Sequence, residues 1–282
     1  MKIPLTIFAT YWNEKDWIEA SLAQIDTLNA REVIIVDGCF DPEVENRSTD
    51  GTREIIEQWV SERPHAKMIS AIRISRRAGL WYLFGKQLHW WNWPLRIALF
   101  AYYWRTNLYR INQAVTFTHM LRTAQNANIG DWIMHNDADQ FYPDAMVEQI
   151  QTQVNCSETD IDLLTANEQS FFTDFKGFTT QYDSRDYNNM PYRIQKNTII
   201  LPTRDVAREE YPKPKIYGKN ASLKKKHLGS YFHYKFRPFD KNRSELGNNL
   251  GDRKQIDHSN YEQVPFLGTH PTVIQKYYGA HL

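Results

Sequence analysis

A chain of 282 residues that is 41% hydrophobic and 14% aromatic carries enough apolar surface for a large core, which excludes intrinsic disorder. Its 34 basic and 33 acidic residues leave a formal charge of +1, so an extended nucleic-acid binder is excluded and any basic patch has to be local. Two cysteines, Cys39 and Cys156, make no disulfide framework and show no metal-site spacing, which fits a reducing compartment.

The chain opens on PLTIFATY, an apolar run of strand type, and turns polar too early for a secretory signal. Asn13 is placed as the N-cap of a helix over EKDWIEASLAQIDTL, where Trp17, Leu22 and Ile25 share one face. EVIIVD predicts a buried second strand, and STDGTREIIEQWVSE a second helix with Ile55, Ile56 and Trp59 on one side. KMISAIRI predicts a third strand. Residues 79–104 follow, rich in tryptophan (Trp81, Trp90, Trp91, Trp93, Trp104) but interrupted by Lys86, His89, Asn92, Pro94 and Arg96, so they make no membrane span of about 20 apolar residues. That stretch reads either as an amphipathic helix pair at a membrane interface, as cover for the protein's own core, or as a platform for sugar rings or bases.

YRINQAVTFTHMLRTAQNAN predicts a long helix, GDWIMHN a fourth strand, and PDAMVEQIQTQV a helix with Pro143 in its first turn. Beyond that, DIDLLTANEQSFF and YRIQKNTIILPT predict strands, and the remainder is polar and turn-rich. The alternation of strand and helix predicts an α/β fold, a mainly parallel sheet with helices on both faces. One domain of two lobes is expected, residues 1–156 and a second lobe, 157–282, that adds antiparallel strands and loops.

In an open α/β sheet the ligand lies beyond the carboxyl ends of the strands. Those ends are polar here: Thr10, Tyr11 and Glu14 after the first strand, Asp37 after the second, Arg73 and Arg76 near the third, and Asn136, Asp137 and Asp139 at the fourth. Asp137 and Asp139 are separated by one small residue, and in an extended chain such carboxylates point the same way, towards one metal ion or one phosphate.

TYWNE after the first strand, VDG after the second, STDGT opening the second helix and DAD closing the fourth strand resemble, in this order, the landmarks of family 2 glycosyltransferases of GT-A fold. The likeness covers roughly the first 150 residues and implies that residues 1–156 bind a nucleotide sugar and that the lobe 157–282 binds the acceptor. Two departures stand out: CFDPEVENR separates Gly38 from Ser48, and the aromatic stretch 79–104 replaces a short connection.

The resemblance implies transfer of a sugar from a nucleotide diphosphate donor, UDP-linked, to a hydroxyl of a glycan, glycolipid or other polymer on the cytoplasmic side; the aromatic stretch 79–104 is the candidate for peripheral contact with the inner membrane face. It implies Mn²⁺ or Mg²⁺ balancing the diphosphate charge, with Asp139 as direct ligand, Asp137 on the ribose or a metal-bound water, and His233 in SYFHYKFRPF as a further ligand. Asp37 would read the base, with Thr10, Tyr11, Glu14, Asp50 and Asn112 lining the nucleotide pocket; the plain structural alternatives are that Asp37 caps a turn and Asp50 a helix. Arg193 and Lys196, or Lys235 and Arg237, are candidates to neutralise the diphosphate. An inverting transfer needs a general base, for which Asp174 is set first and Glu168 second, ahead of Asp183 and Asp186. KNASLKKKH is a basic cluster for a phosphate-bearing acceptor or simply a solvated loop. The alternatives are a nucleotidyltransferase that makes sugar nucleotides, whose glycine-rich phosphate loop is missing from TYWNEKDW, and a non-catalytic carbohydrate-binding protein on a transferase fold.

Overall fold

The computed structural model describes residues 2–85, 93–156, 160–172, 174–179, 190–195, 198–202, 214–216, 224–235 and 263–282. In chain order the elements are β1 (Ile3–Tyr11), α1 (Ile18–Leu28), β2 (Ala30–Asp37), α2 (Thr52–Ser61), β3 (Ala66–Ser70), α3 (Arg76–Leu80) continued by a π-helical turn (Trp81–Gly85), α4 (Trp93–Tyr103), α5 (Leu108–Thr123), β4 (Trp132–Asp137), β5 (Gln140–Phe141), α6 (Asp144–Asn155), β6 (Leu163–Phe171), β7 (Gly177–Phe178), β8 (Tyr192–Arg193), β9 (Thr198–Ile200), β10 (Pro214–Ile216), β11 (Lys225–Tyr234), β12 (Val264–Pro265) and α7 (Thr272–Tyr278).

The molecule is a mixed α/β structure around one eight-stranded sheet in the order β3-β2-β1-β4-β8-β6-β11-β5. β3, β2, β1 and β4 are parallel neighbours. The short β8 is antiparallel to both β4 and β6, so β6 points the same way as β4, and β11 pairs with β6 in parallel. Six strands therefore present their carboxyl ends on one edge, and β5 closes the sheet antiparallel to β11. The β9–β10 and β7–β12 pairs form two small antiparallel ribbons beside it.

Alternation decides which side chain faces which layer. Leu5, Ile7, Val33, Ile35, Trp132 and Met134 pack under α1, α2, α6 and α7. Phe8, Ile34, Val36 and Ile133 pack on the opposite face against α3 and α5. Both faces of the central strands are thus dry, which is why their sequences are near-continuous apolar runs.

Two local expectations change. α1 begins at Ile18 because Asn13 adopts a left-handed backbone (φ 55°) and Glu14 O accepts the amides of Trp17 and Ile18, so Asn13 is no N-cap. YRIQKNTIILPT is not one strand but β8 and β9, with Gln195 N bonded to Thr198 Oγ1 between them. Among the described residues no helix is long and apolar enough to cross a membrane.

Candidate functional site at the carboxyl edge of the sheet

β4 ends at Asp137, and the chain turns at Ala138 and Asp139 before β5. The two aspartates therefore do not form the extended pair expected of them. The turn is forced because β5 must reverse to pair with β11, and Tyr234 N donates to Asp139 O at 2.8 Å to hold it there. Asp137, half-buried, accepts from Gln140 Nε2 at 3.2 Å. Asp139 Oδ2 lies 3.2 Å from His233 Nε2.

His233 is the middle of a chain of charge. Its Nδ1 is 2.9 Å from Glu168 Oε1, which Lys235 Nζ also approaches at 3.1 Å. Ser170 Oγ donates to the same oxygen, and Tyr231 OH donates to Oε2 at 3.0 Å. The register explains the convergence: on parallel β6 and β11, Tyr231 lies opposite Glu168 and His233 opposite Ser170, so Glu168 and Ser170 share a face with Tyr231 and His233.

Burial alone would raise the Glu168 carboxyl, but the charges of His233 and Lys235 and the bonds from His233 and Ser170 outweigh it and hold it well below the usual carboxylate range. Burial likewise works against a charged His233, and Asp139 and Glu168 overcome it, lifting the imidazole to about 10. At neutral pH a buried imidazolium at His233 thus lies between the buried Glu168 carboxylate and the half-buried Asp139.

Of the residues expected around a nucleotide, several carry structural duties. Asp37 is fully buried: its Oδ1 accepts the Ser48 amide and its Oδ2 pairs with Arg53 of α2 at 3.0 Å. It caps the long 38–47 loop, and no oxygen faces outward to read a base. Asp50 takes the amides of Lys15 and Thr52, Ser48 Oγ takes the amide of Asn13, and Asn13 Oδ1 takes that of Thr49. With Glu14 N donating to Thr52 Oγ1, the STDGT stretch is the fastening of the loop after β1. Tyr11 is buried, bonded to Ser21 and Asn136 beneath the sheet rather than in a pocket. Asn112, also buried, ties Phe40 O to Ile74 N and so clamps the loops after β2 and β3. Thr10 and Glu14 are half-exposed at the edge.

Asp174 is exposed after β6 and accepts the Lys176 amide at 2.8 Å. Asp183, Asp186, Lys196 and Arg237 lie outside the described residues, as does most of KNASLKKKH. Arg193 sits over the Trp132 ring at 5.1 Å, away from the His233 array. Sequence reasoning missed Tyr231, Ser170 and Gln140. Their signal was present in the alternation of Tyr231, His233 and Lys235 and of Glu168 and Ser170, but which strands would lie side by side was not.

Among the described residues no group of three His, Cys, Asp or Glu is arranged to hold a metal ion. The donors that face one another are two, Asp139 Oδ2 and His233 Nε2. An oxygen and an imidazole nitrogen suit Mn²⁺, provided that other ligands complete its sphere.

No known family model matches the sequence, and no curated protein does. Among solved structures, a mannosyltransferase from Pyrobaculum calidifontis in complex with GDP-Man and Mn²⁺ is similar at 17% identity and a TM-score of 0.35, over 60% of this chain and 36% of that one. The match thus spans little more than a third of that enzyme's length, and at this TM-score it carries no argument about this chain.

Proposed function

We propose that this chain is a metal-dependent, inverting glycosyltransferase of GT-A type, resembling family 2, that moves a sugar from a nucleoside diphosphate donor, UDP-linked, to an acceptor hydroxyl on a glycan, glycolipid or polymer. The observation that carries the reading is the Asp139–His233 pair, set in the turn of the DAD motif at the carboxyl edge of the parallel strands.

Mn²⁺ or Mg²⁺ would neutralise the leaving diphosphate, held by Asp139 and by His233 once the Nε2 proton that faces Asp139 is released to solvent, so metal binding in this scheme expels a proton. Glu168 is a positioning residue: by engaging Nδ1 it directs Nε2 of His233 towards Asp139. It is poorly suited to be the general base, since its oxygens already take four donors and its proton affinity is low. Asp174, exposed beyond the carboxyl end of β6, takes the acceptor's proton in this scheme. Thr10, Glu14 and Asp137 remain for the nucleotide.

The test is calorimetric titration with UDP, GDP, CDP and dTDP, with Mn²⁺ and again with chelator. Metal-dependent binding of one diphosphate is expected, with Asp139→Ala weakening it by about ten-fold or more while the circular dichroism spectrum stays unchanged. Failure of the folded protein to bind any diphosphate, or binding untouched by Asp139→Ala, would favour a non-catalytic carbohydrate-binding protein instead.

A further inference from the structure

α4 divides cleanly. Leu95, Leu99, Phe100 and Tyr103 turn inward onto the core, with Tyr103 against Phe84 of the π-helical turn at 5.6 Å. The outward face is apolar as well: Trp93 is 62% exposed, Ile97 59% and Tyr102 53%, with Pro94, Ala98 and Ala101 exposed between them. Trp104, just past the helix, is 44% exposed, and Trp81, on the π-helical turn that contacts α4, is 64% exposed. A helix with apolar residues on both sides, one of them facing water, is expected to have something to cover it.

The surrounding charge says what. Beyond Arg63 and Lys67, which pair with Asp26 and Glu32, residues 71–130 contain eight Lys and Arg and no Asp or Glu, so this segment is positive although the whole chain is +1. A second copy of the chain would bring the same positive charge to the contact. An anionic surface complements it, and Trp and Tyr rings flanked by Arg96 and Arg105 suit the headgroup level of a bilayer, where guanidinium groups reach outward and apolar stems stay in contact with lipid.

We infer that the exposed face of α4, with Trp81 and Trp104, seats this protein on the interface of an anionic phospholipid bilayer, lying on the membrane without spanning it. α3 follows the carboxyl end of β3, and Asn112 in the first turns of α5 clamps the loops after β2 and β3, so α3 and α5 both start on the edge that carries Asp139. If the transferase reading holds, an acceptor embedded in the same bilayer meets the site from that side; the seating itself does not depend on it.

The experiment is co-sedimentation of the full chain with vesicles of phosphatidylcholine alone or mixed with phosphatidylglycerol, which needs neither donor nor activity. The protein is expected to pellet with the anionic vesicles and to be released by salt. Ile97→Glu combined with Tyr102→Glu, both exposed positions, should weaken binding about ten-fold or more, and Arg105→Gln, the control that leaves the apolar face intact, by a few-fold. A protein that stays in the supernatant with both compositions would overturn the inference, as would double-variant binding equal to wild type. Concentration-dependent self-association that the double variant abolishes, without vesicle binding, would assign the face to a second copy instead.

Discussion

Glu168 shows how one carboxylate is held ionised inside a protein. It is 4% exposed, and its charge is tolerable only because His233, Lys235, Ser170 and Tyr231 all face it. Glu168→Gln keeps the shape but removes the buried counter-charge that Lys235 and His233 share, leaving His233 only Asp139, and we expect a loss of about 3–5 kcal/mol in urea unfolding. Glu32 is a quieter instance far from the site. Burial raises its carboxyl, but Lys67 and the amides of Gln125 and Asn126 outweigh that and bring it below the ordinary value of 4.5. Because the folded value is the lower one, its contribution is present above pH 4.5 and is lost as the pH falls through the folded value. Unfolding free energy measured from pH 7 down to 3 should fall less steeply in Glu32→Gln than in the wild type.

At the scale of elements, close approach is the governing constraint. A Cβ at Gly79 would come within 2.4 Å of Ile111 Cγ2, so α3 lies against α5 only because that position has no side chain. Gly79→Ala is expected to cost about 1–3 kcal/mol, read as a lowered thermal midpoint. This contact was invisible in the sequence, whereas the elements were not: β1, β2 and β4 announce themselves as apolar runs because both faces are buried, and α2 and α6 by their helical spacing. Legibility failed where a distant partner decides the outcome. STDGT looked like ligand-binding chemistry and turns out to fasten the loop after β1, since hydroxyl and carboxylate side chains serve backbone amides as readily as a substrate. Asp139 and His233 each stand out in the sequence, but separately. Their meeting, and the roles of Tyr231 and Ser170, depend on a strand register that no local pattern encodes.

Across the whole molecule, the C-terminal segment is part of the main core rather than an appendage. Trp17 of the first loop packs on Tyr278 of α7 at 4.9 Å and stacks on Tyr234 of β11 at 5.5 Å, and Tyr278 OH donates to Asp16 O. Deleting residues 272–282 should therefore diminish the near-ultraviolet circular dichroism of the buried aromatics and lower the thermal midpoint, not merely trim a tail. The turn at Asp139 carries the same dependence into time. It is held by β11, which leaves the ribosome long after β4, so closing it is a non-local step of the kind that folds slowly. A nascent chain that has completed β1 to β4 has the parallel half of its sheet and an open β4 edge. The turn bearing Asp139 takes its final shape only when β11 arrives, and so the candidate site is among the last features of the protein to exist.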